Sequence, residues 1–263
     1  MRRIGRAIVA LLSIVVLLAA LYGAVMAVRW VEDETGFGLL DRRPEQPLAF
    51  SSLNRYTREA AARPAFRRYF TTMVVPERQG GGAEAPVVTK WERPRVVIKL
   101  LNDGGPGVEA YLRRLVARLN RMQAAVRFAV GDAAPRITIR FLSHSAYVAT
   151  IGGDSVGSTR THYFRSSPGM IRARIAIDAG RQSSAGQVRA TLIHELTHAI
   201  GCGGHFRAAS DRRRSVLYES SQITAWSQND AAVIRLLYSP WIESGMTAAQ
   251  AQASLRRYSR SAD

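Results

Sequence analysis

Apolar side chains recur with two different periods along the chain and predict alternating strands and helices. Residues 95–101, 136–142 and 170–178 are rich in valine and isoleucine, and the middle segment alternates apolar and polar positions as a half-buried strand does. Residues 108–122 instead repeat apolar positions every three or four residues, which is typical of an amphipathic helix. The pattern therefore predicts an α+β domain built on a small mixed sheet.

A second helix is predicted shortly after the third strand. Ser184 is a candidate N-cap, and Gln187 lies three residues further on, where it would complete a capping box. Gly201 can adopt the left-handed conformation that ends a helix. Between these limits one face is apolar, and it is formed by Val188, Leu192, Leu196 and Ala199.

This helix carries the pentapeptide His-Glu-Leu-Thr-His at residues 194–198. Because His194 and His198 lie four residues apart, both imidazoles project from the same helix face. Imidazole nitrogens with this spacing can bind one Zn²⁺ at about 2.0–2.1 Å. Glu195 points in a neighbouring direction, where its carboxylate could act on a water molecule rather than bind the ion. The pattern indicates a zinc site with Glu195 as general base.

A catalytic zinc ion usually has three protein ligands, so a third donor must come from outside the helix. His205 is the best candidate, because a turn at Gly201 can bring it back to the metal. Asp211 and Glu219 are the alternatives, as oxygen ligands. Cys202 is interpreted as a small packing residue rather than a ligand.

The other two histidines, His144 and His162, are interpreted as polar loop residues.

Upstream of the strands, residues 7–28 form an uncharged run whose helical length would match the hydrocarbon core of a bilayer. Basic residues precede it and acidic residues follow it, which predicts a cytoplasmic N-terminus. We therefore expect residues 1–30 to anchor the chain in the inner membrane in a single pass, with the rest on the periplasmic side. The alternative is a signal peptide cleaved near residues 25–27, which would release a secreted protein.

Residues 31–86 are predicted to form a tether with a short helical segment, which Pro64 should break or kink. The flexible link at its end contains the glycines of residues 80–82. The compact domain is then expected to span residues 87–263. This part is long enough to bury one good core.

The chain carries 37 Lys and Arg against 20 Asp and Glu, and only Lys90 and Lys99 are lysines. A net charge of +17 would attract anionic polymers or lipid headgroups. The arginines are dispersed, however, and no nucleic-acid-binding motif is present, so we do not expect a nucleic-acid partner. The single cysteine excludes an intramolecular disulfide. Charge alone does not indicate a function, and the oligomeric state stays open.

The motif and its surroundings resemble the metzincin clan of zinc proteases, whose pattern is HExxHxxGxxH followed by a methionine-containing turn. The histidine helix and Gly201 match that pattern, and His205 lies one residue after the position of the third ligand. Residues 215–218 resemble the turn, with Leu217 in the place of methionine, and residues 228–238 are similar to the helix that closes matrixin-type domains. The resemblance implies a twisted sheet packed on an active-site helix and a backing helix.

The chain looks closer still to a bacterial family of exported, metal-dependent peptidase-like domains of unassigned function. Three stretches carry this resemblance, namely residues 90–94, the histidine helix, and residues 234–247. They span roughly residues 87–258 as one domain.

Together these observations lead to the hypothesis of a membrane-tethered zinc metallopeptidase that hydrolyses peptides or proteins. His194, His198 and His205 would hold Zn²⁺, and Glu195 would move protons. Residues 172–177 are expected to form an edge strand that aligns an extended substrate. The alternative hypothesis is a non-catalytic envelope-binding domain with a structural or vestigial metal site, for which Cys202 would be a fourth ligand.

Overall fold

A five-stranded sheet forms the centre of the protein in a computed structural model, which describes residues 50–76, 86–163, 169–208 and 214–261. The strand order is β2-β1-β3-β5-β4. The first four strands in this order are parallel, and β4 pairs with β5 in the antiparallel direction. The strands are β1 (Arg95–Leu100), β2 (Arg127–Val130), β3 (Ile137–Leu142), β4 (Gly157–Tyr163) and β5 (Met170–Asp178).

Seven α-helices surround this sheet in the described residues. They are α1 (Phe50–Ala62), α2 (Pro64–Val74), α3 (Val108–Met122), α4 (His144–Thr150), α5 (Ala185–Ala199), α6 (Gln228–Leu237) and α7 (Ala248–Arg260), with a short 3-10 helix at Ala179–Arg181. The predicted mixture of helices and a mixed sheet is therefore confirmed.

Helix α5, which carries the two predicted ligand histidines, is held at its C-terminal end by three aromatic side chains. Trp91 Nε1 donates a hydrogen bond to the carbonyl oxygen of Ala199 (2.8 Å). Trp226 Nε1 donates to the Thr197 hydroxyl (2.8 Å), and the Tyr238 hydroxyl donates to the carbonyl oxygen of Ile200 (2.7 Å). All three aromatic rings are buried, so these bonds fix the position of the helix end in the core.

The N-cap predicted at Ser184 is confirmed, and the capping box predicted with Gln187 is not. The Ser184 hydroxyl accepts from the backbone N–H of Gln187, but the Gln187 side chain accepts from Ser183 rather than completing a capping box with Ser184. Complete capping boxes begin α6, at Ser227 with Asp230, and α7, at Thr247 with Gln250.

The prediction that residues 172–177 form an edge strand is wrong. These residues belong to β5, which is hydrogen-bonded on both sides, and the edge strand is β4. No strand is predicted at β4, because its segment Gly-Ser-Thr-Arg-Thr-His-Tyr is mostly polar. In the structure this strand is only partly buried. Helix α4 and β2, both short, were also absent from the predicted elements.

Helices α1 and α2 pack against α7. The Thr57 hydroxyl bonds to the Tyr258 hydroxyl (2.6 Å) in the buried part of this contact, and Gln252 Nε2 donates to the Thr71 hydroxyl (3.3 Å). Pro64 begins α2, so it separates the two helices as expected. The sequence predicts that residues 31–86 form a tether. In the structure, however, the two helices of this segment belong to one compact unit, Leu48–Asp263.

No helix within the described ranges is long and apolar enough to cross a membrane. The anchor predicted at residues 7–28 lies outside those ranges.

Candidate metal centre

Three histidine side chains converge at the C-terminal half of α5. The Nε2 atoms of His194 and His198 lie 3.1 Å apart. The Nε2 atom of His205, which follows the helix, lies 3.3 Å from that of His194 and 3.0 Å from that of His198. The structure therefore brings together the three histidines that the sequence proposed as ligands, and this cluster could bind a metal ion.

Hydrogen bonds of the Nδ1 atoms of His194 and His198 determine that the Nε2 atoms face the centre of the cluster. His194 Nδ1 bonds to the carbonyl oxygen of Val216 (2.8 Å), and His198 Nδ1 bonds to the carbonyl oxygen of Cys202 (2.6 Å). Since a carbonyl oxygen only accepts, both Nδ1 atoms carry the proton. The Nε2 atoms of these two neutral rings then present lone pairs to each other.

Burial keeps these rings neutral. Burial, followed by the charge that His205 would carry if protonated, lowers the pKa of His194 to about 4. Burial also places the pKa of His198 well below its usual value. Two lone pairs at hydrogen-bond distance cannot bond to one another, so the cluster is a set of donors that a cation would satisfy.

Two glycines let the chain return from α5 to the cluster. Gly201 has φ +106°, and a Cβ there would overlap the carbonyl oxygen of Thr89. A Cβ at Gly204 would overlap the carbonyl oxygen of Thr72 at the end of α2, and the Gly204 N–H donates to the carbonyl oxygen of Met73 (3.0 Å). Gly204 occupies the place of the third histidine in the HExxHxxGxxH pattern. Because no side chain fits there, the imidazole comes from the next residue.

A turn at residues 215–218 contacts His194, and the buried carboxylate of Asp230 holds this turn by hydrogen bonds. Asp230 is fully buried. Its Oδ1 accepts from the Tyr69 hydroxyl (2.7 Å) and the Ser215 hydroxyl (2.8 Å). Its Oδ2 accepts from the backbone N–H of Val216 (3.2 Å) and of Ser227 (3.0 Å). Burial raises the pKa of Asp230, and the hydrogen bonds lower it.

Asp230 is not among the site residues that the sequence predicts, and its link to the histidines was missed. Val216 joins the two, since its N–H donates to Asp230 and its carbonyl oxygen accepts from His194. Leu217, which stands in the place of methionine, is fully buried in the core beside them. Asp230 thus positions a metal-ligand candidate through the backbone of one residue, Val216.

Asp230→Asn is expected to lower the free energy of unfolding by about 2–4 kcal/mol and the metal affinity by roughly 10–100-fold. In one orientation the amide NH₂ group faces the N–H groups of Val216 and Ser227, which cannot accept. In the other it faces the hydroxyls of Tyr69 and Ser215, which would have to stop donating in order to accept. Denaturant unfolding and metal titration measure the two effects. The control is Asp132→Asn, an exposed carboxylate paired with Lys99, which should change stability by less than about 0.5 kcal/mol. Equal effects of the two substitutions would show that the Asp230 network does not support the cluster.

Glu195 lies under the edge strand, next to the cluster. It is 5% exposed, and the Thr159 hydroxyl on β4 bonds to its Oε2 (2.6 Å). A Cβ at Gly157, at the start of β4, would overlap its carboxylate. Burial raises the pKa of Glu195 to about 7, and the bond from Thr159 acts in the opposite direction. The contacts of Gly157 and Thr159 with Glu195 could not be predicted from the sequence, because they depend on how β4 pairs in the sheet.

A cleft of about 420 Å³ opens beside these groups. Its walls are formed by the β4 side of the molecule and by residues 219–222, and His194, Glu195 and His205 contribute to its lining. The histidine cluster and the carboxylate are therefore reachable from the same opening.

The alternative ligands proposed from the sequence have different places. Glu219 lines the cleft, but it pairs with Arg207 (2.5 Å) and is not part of the histidine cluster. Asp211 lies outside the described residues. Cys202 is fully buried, burial raises the pKa of its thiol, and its contribution is the carbonyl oxygen that His198 binds.

The remaining two histidines lie away from the cluster. His144 begins α4, and its Nδ1 bonds to the buried carboxylate of Asp178 (2.7 Å). His162 is exposed on β4 rather than in a loop.

Fold and site together define an α/β protein with a three-histidine centre, able to hold a metal ion, beside a buried glutamate. The model of a family described as "Protein of unknown function (DUF2927)" matches residues 65–257. The match covers most of the chain, so the protein belongs to this family, and the expected membership of a family of unassigned function is confirmed. The match begins in α2 and ends in α7. No curated protein matches the chain.

Proposed function

We propose that this protein is a zinc-dependent peptidase. The observation that carries the proposal is the triangle of Nε2 atoms, with edges of 3.0–3.3 Å. Three nitrogens that bind one ion tetrahedrally at about 2.0–2.1 Å lie about 3.3–3.4 Å apart, so the present spacing fits zinc closely. A set of three imidazoles also suits zinc in its donor chemistry.

The position of Glu195 supports a catalytic rather than a structural role for the metal. A bound zinc ion would lower the pKa of a water molecule toward neutrality and polarise a carbonyl group. Glu195 would accept a proton from that water and deliver it to the amine that leaves. Thr159 orients the carboxylate for both transfers through its hydroxyl. The overlap of a Cβ at Gly157 with the carboxylate explains why a glycine stands at that position.

Substrate alignment is assigned to β4 in this proposal. As the last strand in the sheet order, it can add an extended peptide by main-chain hydrogen bonds, as edge strands do in peptide recognition. The Thr159 hydroxyl on this strand bonds to Glu195, so a peptide added to β4 would lie close to the proposed general base. A peptide along β4 would pass the histidine cluster.

The wider context of the proposal comes from the sequence. The mixed sheet packed on the histidine helix agrees with the metzincin-like fold that the resemblance implies. We further propose that residues 7–28 anchor the chain in the inner membrane and that the catalytic domain acts on peptides or proteins on the periplasmic side.

Metal removal tests this function directly. The purified 263-residue chain is expected to contain one zinc ion and to cleave unstructured peptides. A chelator should abolish cleavage, zinc should restore it, and zinc should raise the melting temperature of the metal-free protein. Elemental analysis, peptide mass spectrometry and calorimetry measure these results. Cleavage that survives complete removal of zinc would overturn the proposal, and bound zinc without cleavage of any peptide would favour the non-catalytic envelope-binding domain.

A further inference from the structure

A second groove, of about 580 Å³, adjoins the cleft at His205, the residue that lines both. We call it the α2 groove, because residues of this helix line one of its sides. Phe66, Tyr69 and Phe206 contribute its aromatic surface, and the rings of Tyr69 and Phe206 stack with centroids 4.5 Å apart. Because His205 lines both cavities, the α2 groove begins next to the histidine cluster, within reach of a peptide bound there.

The charges along the α2 groove differ from those along the cleft. Arg63, Arg68, Arg207 and Arg214 line the groove, and none of the described residues that line it is acidic. The cleft on the β4 side has Arg181 together with the acidic Glu195 and Glu219. The overall excess of arginine therefore does not explain the charge of the groove, since the cleft on the other side of His205 also has acidic residues.

Most of these arginines are available to a ligand. Arg207 pairs with Glu219, but the ion pairs seen among the described residues do not involve Arg63, Arg68 or Arg214. Arg68 and Arg214 are exposed at the groove surface. A guanidinium group presents several N–H donors in a planar fork that matches a carboxylate. Aromatic surface beside these forks can pack the apolar part of an acidic side chain.

We propose that the α2 groove binds carboxylates of the substrate, so that the enzyme prefers peptides with acidic residues on one side of the scissile bond. This inference rests on the proposed peptidase function. The shared chemistry is a carboxylate group, carried either by Asp and Glu side chains or by the C-terminus of the substrate. Because the arginines are exposed, the preference is expected to weaken as the salt concentration rises.

The test compares two variants with equal loss of charge. Arg68→Gln with Arg214→Gln removes two groove arginines. Arg95→Gln with Arg127→Gln removes two exposed arginines on β1 and β2, the two strands furthest from β4 in the sheet. The measured quantity is the ratio of kcat/KM for a glutamate-containing peptide to that for its glutamine counterpart. The groove variant should lower this ratio about five- to tenfold, and the control should leave it unchanged.

Peptides of two designs distinguish the source of the carboxylate. One has internal glutamates and an amidated C-terminus, and the other is neutral with a free C-terminus. A preference for the first assigns side-chain carboxylates to the groove, and a preference for the second assigns the terminal carboxylate. Equal kcat/KM for both peptides and for an amidated peptide with glutamines and no carboxylate, or equal effects of the groove and control variants, would overturn the inference and leave the peptidase proposal intact.

Binding to the Glu195→Gln protein separates this inference from the proposed function. Fluorescence anisotropy of labelled peptides should show tighter binding of the acidic one, lost when Arg68 and Arg214 are also replaced. If the unsubstituted protein cleaves no peptide but this selectivity is present, the groove assignment stands and the peptidase proposal fails. If cleavage occurs and binding does not depend on charge, the peptidase proposal stands and the groove assignment fails.

Discussion

Glu195→Gln is expected to lower the turnover of peptide substrates by a factor of about 10²–10⁴, while the protein keeps its fold and its metal. The amide has nearly the same shape as the carboxylate, and its oxygen can still accept the hydrogen bond that the Thr159 hydroxyl now gives to Oε2. It cannot accept a proton from water at neutral pH. The effect should therefore appear in kcat rather than in KM.

Three measurements on the Glu195→Gln protein separate chemistry from folding. They are kcat for a peptide substrate, zinc content, and the melting temperature. Glu109→Gln is the matched control, because Glu109 is an exposed carboxylate on α3 that pairs with Arg113. Wild-type turnover by the Glu195→Gln protein would show that another group activates the water.

His205→Ala should weaken zinc binding more than about 100-fold, beyond the 10–100-fold loss that is typical when a partner of a ligand is removed. The Nε2 atom of His205 completes the triangle with His194 and His198. Without it, two imidazoles from one helix remain, and their Nδ1 bonds to Val216 and Cys202 are unchanged. Peptide cleavage should disappear together with the metal.

Two further variants make the His205 result specific. His162→Ala removes an exposed histidine outside the cluster, and Glu219→Ala removes the carboxylate that the sequence offered as an alternative ligand. Both should keep the zinc affinity of the unsubstituted protein in competition titrations with a chelating dye. Retention of affinity by His205→Ala, with loss by Glu219→Ala, would assign the third position to the carboxylate.

Local sequence patterns predicted the elements that bury one regular face. The apolar stripe of α5 and its N-cap at Ser184 located the histidine helix, and its period of 3.6 residues brought His194 and His198 together. The capping boxes at Ser227 and Thr247 are local signals of the same kind, at the starts of α6 and α7. Each of these signals depends on residues within one or two helical turns.

The edge of the sheet could not be predicted in this way. β5 alternates buried isoleucines with less buried positions, and its apolar content suggested a strand beside the cleft. Strands between two neighbours are usually the more apolar ones, whereas an edge strand such as β4 can be polar. The bond from Thr159 to Glu195, 36 residues later, exists only because β4 pairs with β5.

The position of His205 also depends on contacts that are distant in the sequence. Gly204 fits against the carbonyl oxygen of Thr72, and its N–H bonds to Met73, both in α2. Sequence analysis predicted that this helix is part of a tether. The extra residue between Gly201 and the third histidine therefore had no explanation from the sequence. Packing of α2 against the returning chain supplies that explanation.

X-ray absorption at the zinc edge is the most direct test of the metal centre in the purified 263-residue chain. We predict three imidazole nitrogens and one further light atom at about 2.0–2.1 Å. The three nitrogens should disappear as a set when His194, His198 and His205 are replaced. A sulfur ligand at about 2.3 Å, which would be Cys202 in this chain, or protein bound at all four positions would contradict the catalytic centre proposed for these residues.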